Sequence, residues 1–203
     1  MKRGSNIKLI IQAILFTGIF WWGMFTHSLI AQENSSSIIW SKVQKLKWND
    51  FQGTPQKDSS HFAISSTGSV FTTYIEEGKD SAIITFETYA TFNRDSSWGK
   101  KWGRSSYLLK HEQTHFDITE LFVRKLRKAL TEYHFSGNYK SEIQKMVAYF
   151  DHERNKKQDQ YDYETQHSLN EAEQVKWNQY IADELKRFES FKAHKVSNKI
   201  PLE

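Results

Sequence analysis

His111-Glu112-Gln113-Thr114-His115 sets two imidazoles four residues apart, with a carboxylate directly after the first. On a helix, residues at this spacing lie on one side, one turn above the other. Both rings can then offer a nitrogen to a single point about 2 Å from each, the zinc–nitrogen distance. Glu112 leans towards the same point without being forced to ligate, so it can take a proton from water whose pKa the metal has lowered. The chemistry such a pattern supports is metal-assisted hydrolysis with Glu112 as general base. Its plain alternative is a helix whose histidines pair with carboxylates such as Asp117 or Glu120.

A catalytic zinc takes three protein ligands and keeps one position open. The chain has no cysteine, so the ligands must be His, Asp or Glu, and zinc fingers, thiol proteases, redox motifs and disulfides are excluded. His134, His152, His167 and His194 follow the motif, together with many acidic residues. The stretch YDYETQHSLNEAEQVKW (161–177) gathers Asp162, Glu164, His167, Glu171 and Glu173 beside Tyr161 and Tyr163. It breaks the helical pattern and reads as a loop leading into a helix capped at Ser168. Either tyrosine could donate to an oxyanion opposite the metal.

These residues need a scaffold to position them. A helix from Ser105 or Ser106 to about Leu130 carries the motif, with an apolar stripe of Leu108, Ile118, Phe122, Leu126 and Ala129 and a charged face of Glu120, Arg124 and Lys128. His115 lies seven residues from both Leu108 and Phe122, so the histidines face inward, where they need partners. Upstream, residues 38–55 read as strand and turn. Residues 61–93 read as a hairpin around EEGKD (76–80), whose second strand, AIITFETYATF, is placed to pair with an extended peptide. Downstream, Ser141 with Gln144 and Ser168 with Glu171 offer capping boxes for two more helices. Sheet first and helices after gives an α+β fold: a small antiparallel sheet over about 40–93, the site helix over about 105–130, and helices over about 141–160 and 168–190.

Residues 1–31 have the layout of a secretory leader: a basic start, an apolar run from Leu9 to Phe25, and a small residue at Ala31 where cleavage would fall. An uncleaved anchor is the alternative, and would be the protein's only contact with a membrane. Either way the rest is exported, to a periplasm or beyond. Without Lys2, Arg3 and Lys8 the 28 basic residues fall to 25, against 24 acidic ones. Near-neutrality gives no reason to expect nucleic acid as a partner. Residues 32–191 form one domain, and 192–203 read as a basic, solvated tail.

KLKWNDFQGTP, LLKHEQTHFDITE and YDYETQHSLNEAEQVKW together resemble a bacterial family of exported proteins, domain of unknown function 922, from about Trp40 to Tyr180. Members of that family are described as zinc-dependent proteases on the strength of the motif. Asp117 belongs to the family's version of the helix; Ser168 stands where a glycine often follows the late histidine. The resemblance implies a zincin-like fold, Zn²⁺ as cofactor and His167 as third ligand beside His111 and His115, with Asp162, Glu164 and Glu171 as alternatives. Glu112 and Tyr163 are the expected catalytic residues, and a peptide or protein the expected substrate. A competing reading is an exported structural or binding module, or a degenerate peptidase, in which zinc is architectural or absent.

Overall fold

The computed structural model describes residues 12–14 and 36–201. Most of the expected leader, including its cleavage point, lies outside the described residues. Among the described residues ten strands and α-helices follow in order: β1 (Gln12–Ile14), β2 (Ser37–Ile39), β3 (Ala63–Ile64), β4 (Thr67–Glu77), β5 (Ser81–Asn93), β6 (Trp98–Gly99), α1 (Ser106–Glu132), α2 (Tyr139–Thr165), α3 (Glu171–Arg187) and β7 (Lys195–Pro201). The fold is α+β, with a small antiparallel sheet and three helices. Among the described residues no helix is long and apolar enough to cross a membrane.

The hairpin forms where the turn residues and the alternation of side chains predict it. Along β5 every second residue from Ala82 to Phe92 is buried, while the residues between face outward. β5 is also the centre of the sheet. β4 runs along one side, and β2 and β7 share the other, at opposite ends. Its edges are therefore occupied, and it cannot be the strand that pairs with a peptide. The residues between β2 and β3 are mostly irregular rather than strand.

β7 replaces the expected solvated tail. Its alternation explains why: Val196, Asn198 and Ile200 point to the core side, and Lys195, Ser197 and Lys199 point out. Ile200 is fully buried, and Asn198 Nδ2 donates to the carbonyls of Leu130 and Tyr133, both at 2.7 Å, which closes the C-terminal end of α1.

α1 lies between the sheet and the other two helices. Phe116, Val123, Leu126 and Leu130 pack towards strand residues, and Ile118, Leu121 and Phe122 pack with Tyr161, Trp177 and Ile181 of α2 and α3. Covered on both sides, it has no charged solvent face at Glu120 and Arg124. Glu120 is 2 % exposed, and accepts from Arg124 Nε at 2.9 Å and from the wholly buried Arg127 at 3.1 Å. Arg127 also donates to Thr88 O on β5 and to Phe191 O beyond α3. Arg124 reaches Leu185 O and Glu189. Charge can be buried here because each guanidinium finds backbone carbonyls as well as the carboxylate.

The helix boundaries differ downstream. α2 does not stop at residue 160 but runs through Tyr161 and Asp162 to Thr165. Gln166, His167 and Ser168 then turn with φ of 50, 51 and 75°. With Ser168 left-handed, the cap of α3 falls to Asn170, whose side chain accepts from Glu173 N at 3.3 Å.

Candidate metal centre

Ser105 caps α1 by accepting from Leu108 N at 3.0 Å, which starts the helix early enough to put His111 and His115 on successive turns. The face they share is turned towards α2 and α3. Asp162, in the last full turn of α2, meets it. Asp162 Oδ1 lies 3.2 Å from His111 Nε2 and 3.1 Å from His115 Nε2, and the two Nε2 atoms are 3.2 Å apart. Among the described residues this trio is the one cluster of three or more His, Asp or Glu side chains able to hold a metal ion.

The outer ring nitrogens decide what that cluster wants. His111 Nδ1 is 2.7 Å from Gln174 Oε1 and His115 Nδ1 is 2.7 Å from Gln158 Oε1. Both amides are oriented by their other ends: Gln158 Nε2 donates to His115 O and Thr119 Oγ1, and Gln174 Nε2 to Asn178 Oδ1 and the Tyr161 hydroxyl. Each Nδ1 must therefore be the donor, which leaves both Nε2 atoms as lone pairs. Two lone pairs and a carboxylate oxygen then converge with no hydrogen between them. Only a cation relieves that arrangement, and a divalent metal fits a donor set of two imidazoles and one carboxylate.

In the metal-free protein a proton takes the place. Burial by itself would lower the pKa of His115, but the hydrogen bond and charge of Asp162, with Glu112 nearby, outweigh it and raise it to about 9. For Asp162 burial would raise the pKa, and the hydrogen bonds and charges of His111 and His115 instead hold it far below the usual carboxylate range.

The cluster forms the floor of a cleft of about 510 Å³. One wall is the extended segment 60–67, which contains β3; the other comes from α2 and the turn after it, through Asn155, Gln158, Gln166, His167 and Leu169. Glu112 lines the same cleft, and its Oε2 is buried without a hydrogen-bond partner among the described residues. Ser65 of the facing wall holds the backbone carbonyl of Glu112 at 3.4 Å. The wall itself is fixed from behind. β3 pairs with β6, and Gly99 of β6 sits so close under the Trp48 ring that an added Cβ would lie 2.7 Å from it. Phe51 packs edge-on against Phe92, and Asp50 pairs with Arg94 at 3.4 Å.

The other residues expected at the site are placed as follows. His167 lines the cleft, with Nδ1 3.6 Å from Asp162 Oδ1, and stands outside the trio. Tyr163 is 84 % exposed and is not part of the cleft wall. Tyr161 is wholly buried, stacked on His111 with ring centroids 4.7 Å apart. Glu164 accepts from Trp177 Nε1 at 2.8 Å, and Glu171 opens α3; neither lines the cleft. Asp117 accepts from Trp40 Nε1 at 2.7 Å and Gln113 Nε2 at 2.8 Å, which ties the N-terminal segment to α1. No local pattern in the sequence marks Gln158 or Gln174 as partners of the histidines. Gln158 sits four residues before Asp162, a same-face signal that is visible only once α2 is known to continue.

Residues 81–168 match the model of a family described as "Bacterial protein of unknown function (DUF922)". The match supports the family resemblance drawn from the three motifs. The matched region begins with β5 and ends at Ser168, so it contains His111, Glu112, His115, Gln158 and Asp162. Gln174, the cleft wall 60–67 and the Trp48–Gly53 element that braces it fall outside the matched residues. No curated protein and no solved structure matches the chain significantly.

Proposed function

We propose that the protein is an exported zinc-dependent hydrolase of zincin type, acting on peptides, with His111, His115 and Asp162 as metal ligands. The observation that carries this reading is the convergence of three lone-pair donors, each imidazole held in the right tautomer by a glutamine, beside a carboxylate oxygen that has no partner among the described residues. A metal bound there supplies a Lewis acid and brings water towards ionisation at neutral pH. Glu112 Oε2 accepts a proton from water in the cleft and later delivers it to the leaving amine. Its burial at 3 % exposure keeps that oxygen from being tied up by bulk solvent. Phe62 O and Ser66 N bond towards the β6 side of the wall, so by alternation Ala63 and Ser65 turn their backbone groups the other way. That favours an extended peptide laid along segment 60–67, the role first assigned to β5. Among the described residues no lysine or arginine lines the cleft, so none of them would clamp a terminal carboxylate, and internal peptide bonds are the better substrate.

The test is metal analysis of the purified protein beside its Asp162→Ala and His167→Ala variants. Stoichiometric zinc in the parent, lost from Asp162→Ala and kept by His167→Ala, is expected. A metal-free parent protein would end the reading; zinc lost only from His167→Ala would exchange the third ligand.

A further inference from the structure

Hydrolysis of an amide needs a hydrogen-bond donor for the oxygen that turns negative as water adds to the carbonyl. Neither tyrosine of the 161–177 stretch can serve. The Tyr161 hydroxyl is held between His111 O and the Gln174 amide, and Tyr163 points away from the cleft.

The cleft holds another donor. His167 is 55 % exposed on its wall, and its Nδ1 faces the same Asp162 oxygen that meets both ligand imidazoles, at 3.6 Å. That separation is too long for a hydrogen bond, so the ring stands one group away from the converging lone pairs without being committed to them. Its position is built. Three consecutive residues without glycine adopt the left-handed conformation to present it, a backbone that Cβ contacts disfavour. The turn is locked by His167 N donating to Asp162 O at 2.9 Å and by Asn170 N donating to Thr165 O at 2.8 Å. His61, from the segment leading into β3, meets the ring at a 4.8 Å centroid distance and 75°.

Resting on the hydrolase reading above, we propose that His167 donates a hydrogen bond to the carbonyl oxygen of the scissile peptide bond, with His61 positioning its ring. In that step the water oxygen bonds to the carbonyl carbon and the C=O π pair moves onto the oxygen that His167 faces. The water proton passes to Glu112 and then to the leaving nitrogen as the C–N bond breaks. His167 keeps its proton throughout.

The experiment compares two forms of one short peptide, a phosphinate that mimics the tetrahedral oxygens and a thiol that binds metal through sulfur alone, by calorimetry on the zinc-loaded protein. His167→Ala should weaken the phosphinate by about 10- to 100-fold and leave the thiol unchanged, with zinc content and melting temperature as in the parent. His167→Gln, which restores an N–H, should recover part of the loss, and His61→Ala should give a smaller one. Unchanged phosphinate binding in His167→Ala overturns the proposal. So does an equal loss of both ligands, or loss of zinc, which would make His167 a ligand or a structural residue. A parent protein that binds zinc but neither peptide overturns the hydrolase reading itself.

Discussion

Gln158 grips His115 at both ends: its Oε1 accepts from the imidazole Nδ1 at 2.7 Å while its Nε2 donates to the backbone carbonyl of the same residue at 2.9 Å. One side chain of α2 thus sets the tautomer and the orientation of a ring on α1. Gln174 does the same for the His111 tautomer from α3. The two imidazoles are pointed by two helices that bring a single carboxylate, Asp162, to meet them.

Gln158→Leu removes that grip with little change in volume. It should lower zinc affinity by about 10- to 100-fold, the usual cost of losing the outer partner of a ligating histidine. Competition against a chelator of known affinity measures it, and parent-like affinity would mean that packing alone orients His115.

Glu112→Gln keeps the shape of the side chain and removes the base. The variant should hold zinc as the parent does, and its cleavage of an unfolded protein such as casein should fall by about 10²- to 10⁴-fold. Equal turnover would assign the proton transfer elsewhere.

Chelated, metal-free protein should show a defined pH window of stability. The pKa of His115 is raised from 6.5 to about 9, so its contribution is complete below pH 6.5 and is lost as pH rises through 9. Asp162 is shifted down from 3.8, so its contribution is complete above that value and is lost as pH falls below it. Urea unfolding between pH 4 and 10 should show the maximum at mildly acidic pH and a decline towards pH 9. A curve still rising at pH 9 would contradict the His115–Asp162 pairing.

Glu120→Ala tests the buried charges under α1. It leaves Arg127, wholly buried, without a carboxylate, and should cost about 3–5 kcal/mol in denaturant unfolding. A loss below about 1 kcal/mol would show that the carbonyls of Thr88 and Phe191 suffice for the guanidinium.

Tyr163→Phe should change neither zinc content nor proteolysis, because the side chain is exposed away from the cleft. Lost activity with zinc retained would return Tyr163 to the site.

Local signals in the sequence determined a good deal: the hairpin and its turn, the capped helix that carries the motif, and the placing of His111 and His115 one turn apart with Glu112 next to the first. Each depends on contacts within a few residues, where periodicity and capping act directly. What the chain does at long range was decided only in three dimensions. Asp162 meets the histidines because α2 runs on through a stretch whose polar residues look like loop; Gln158 and Asp162 are polar because they face the imidazoles, while Tyr163 beside them faces solvent. The same blindness made β5 look like an open edge, since alternation marks a strand but does not say which strands will flank it. It also turned a basic tail into β7, whose lysines show only that one face is wet. The sequence by itself determined the two imidazoles and the carboxylate of Glu112 beside them. The partners that hold them, Gln158, Gln174 and Asp162, come from 43 to 63 residues away, and only the packing of three helices brings them to one point.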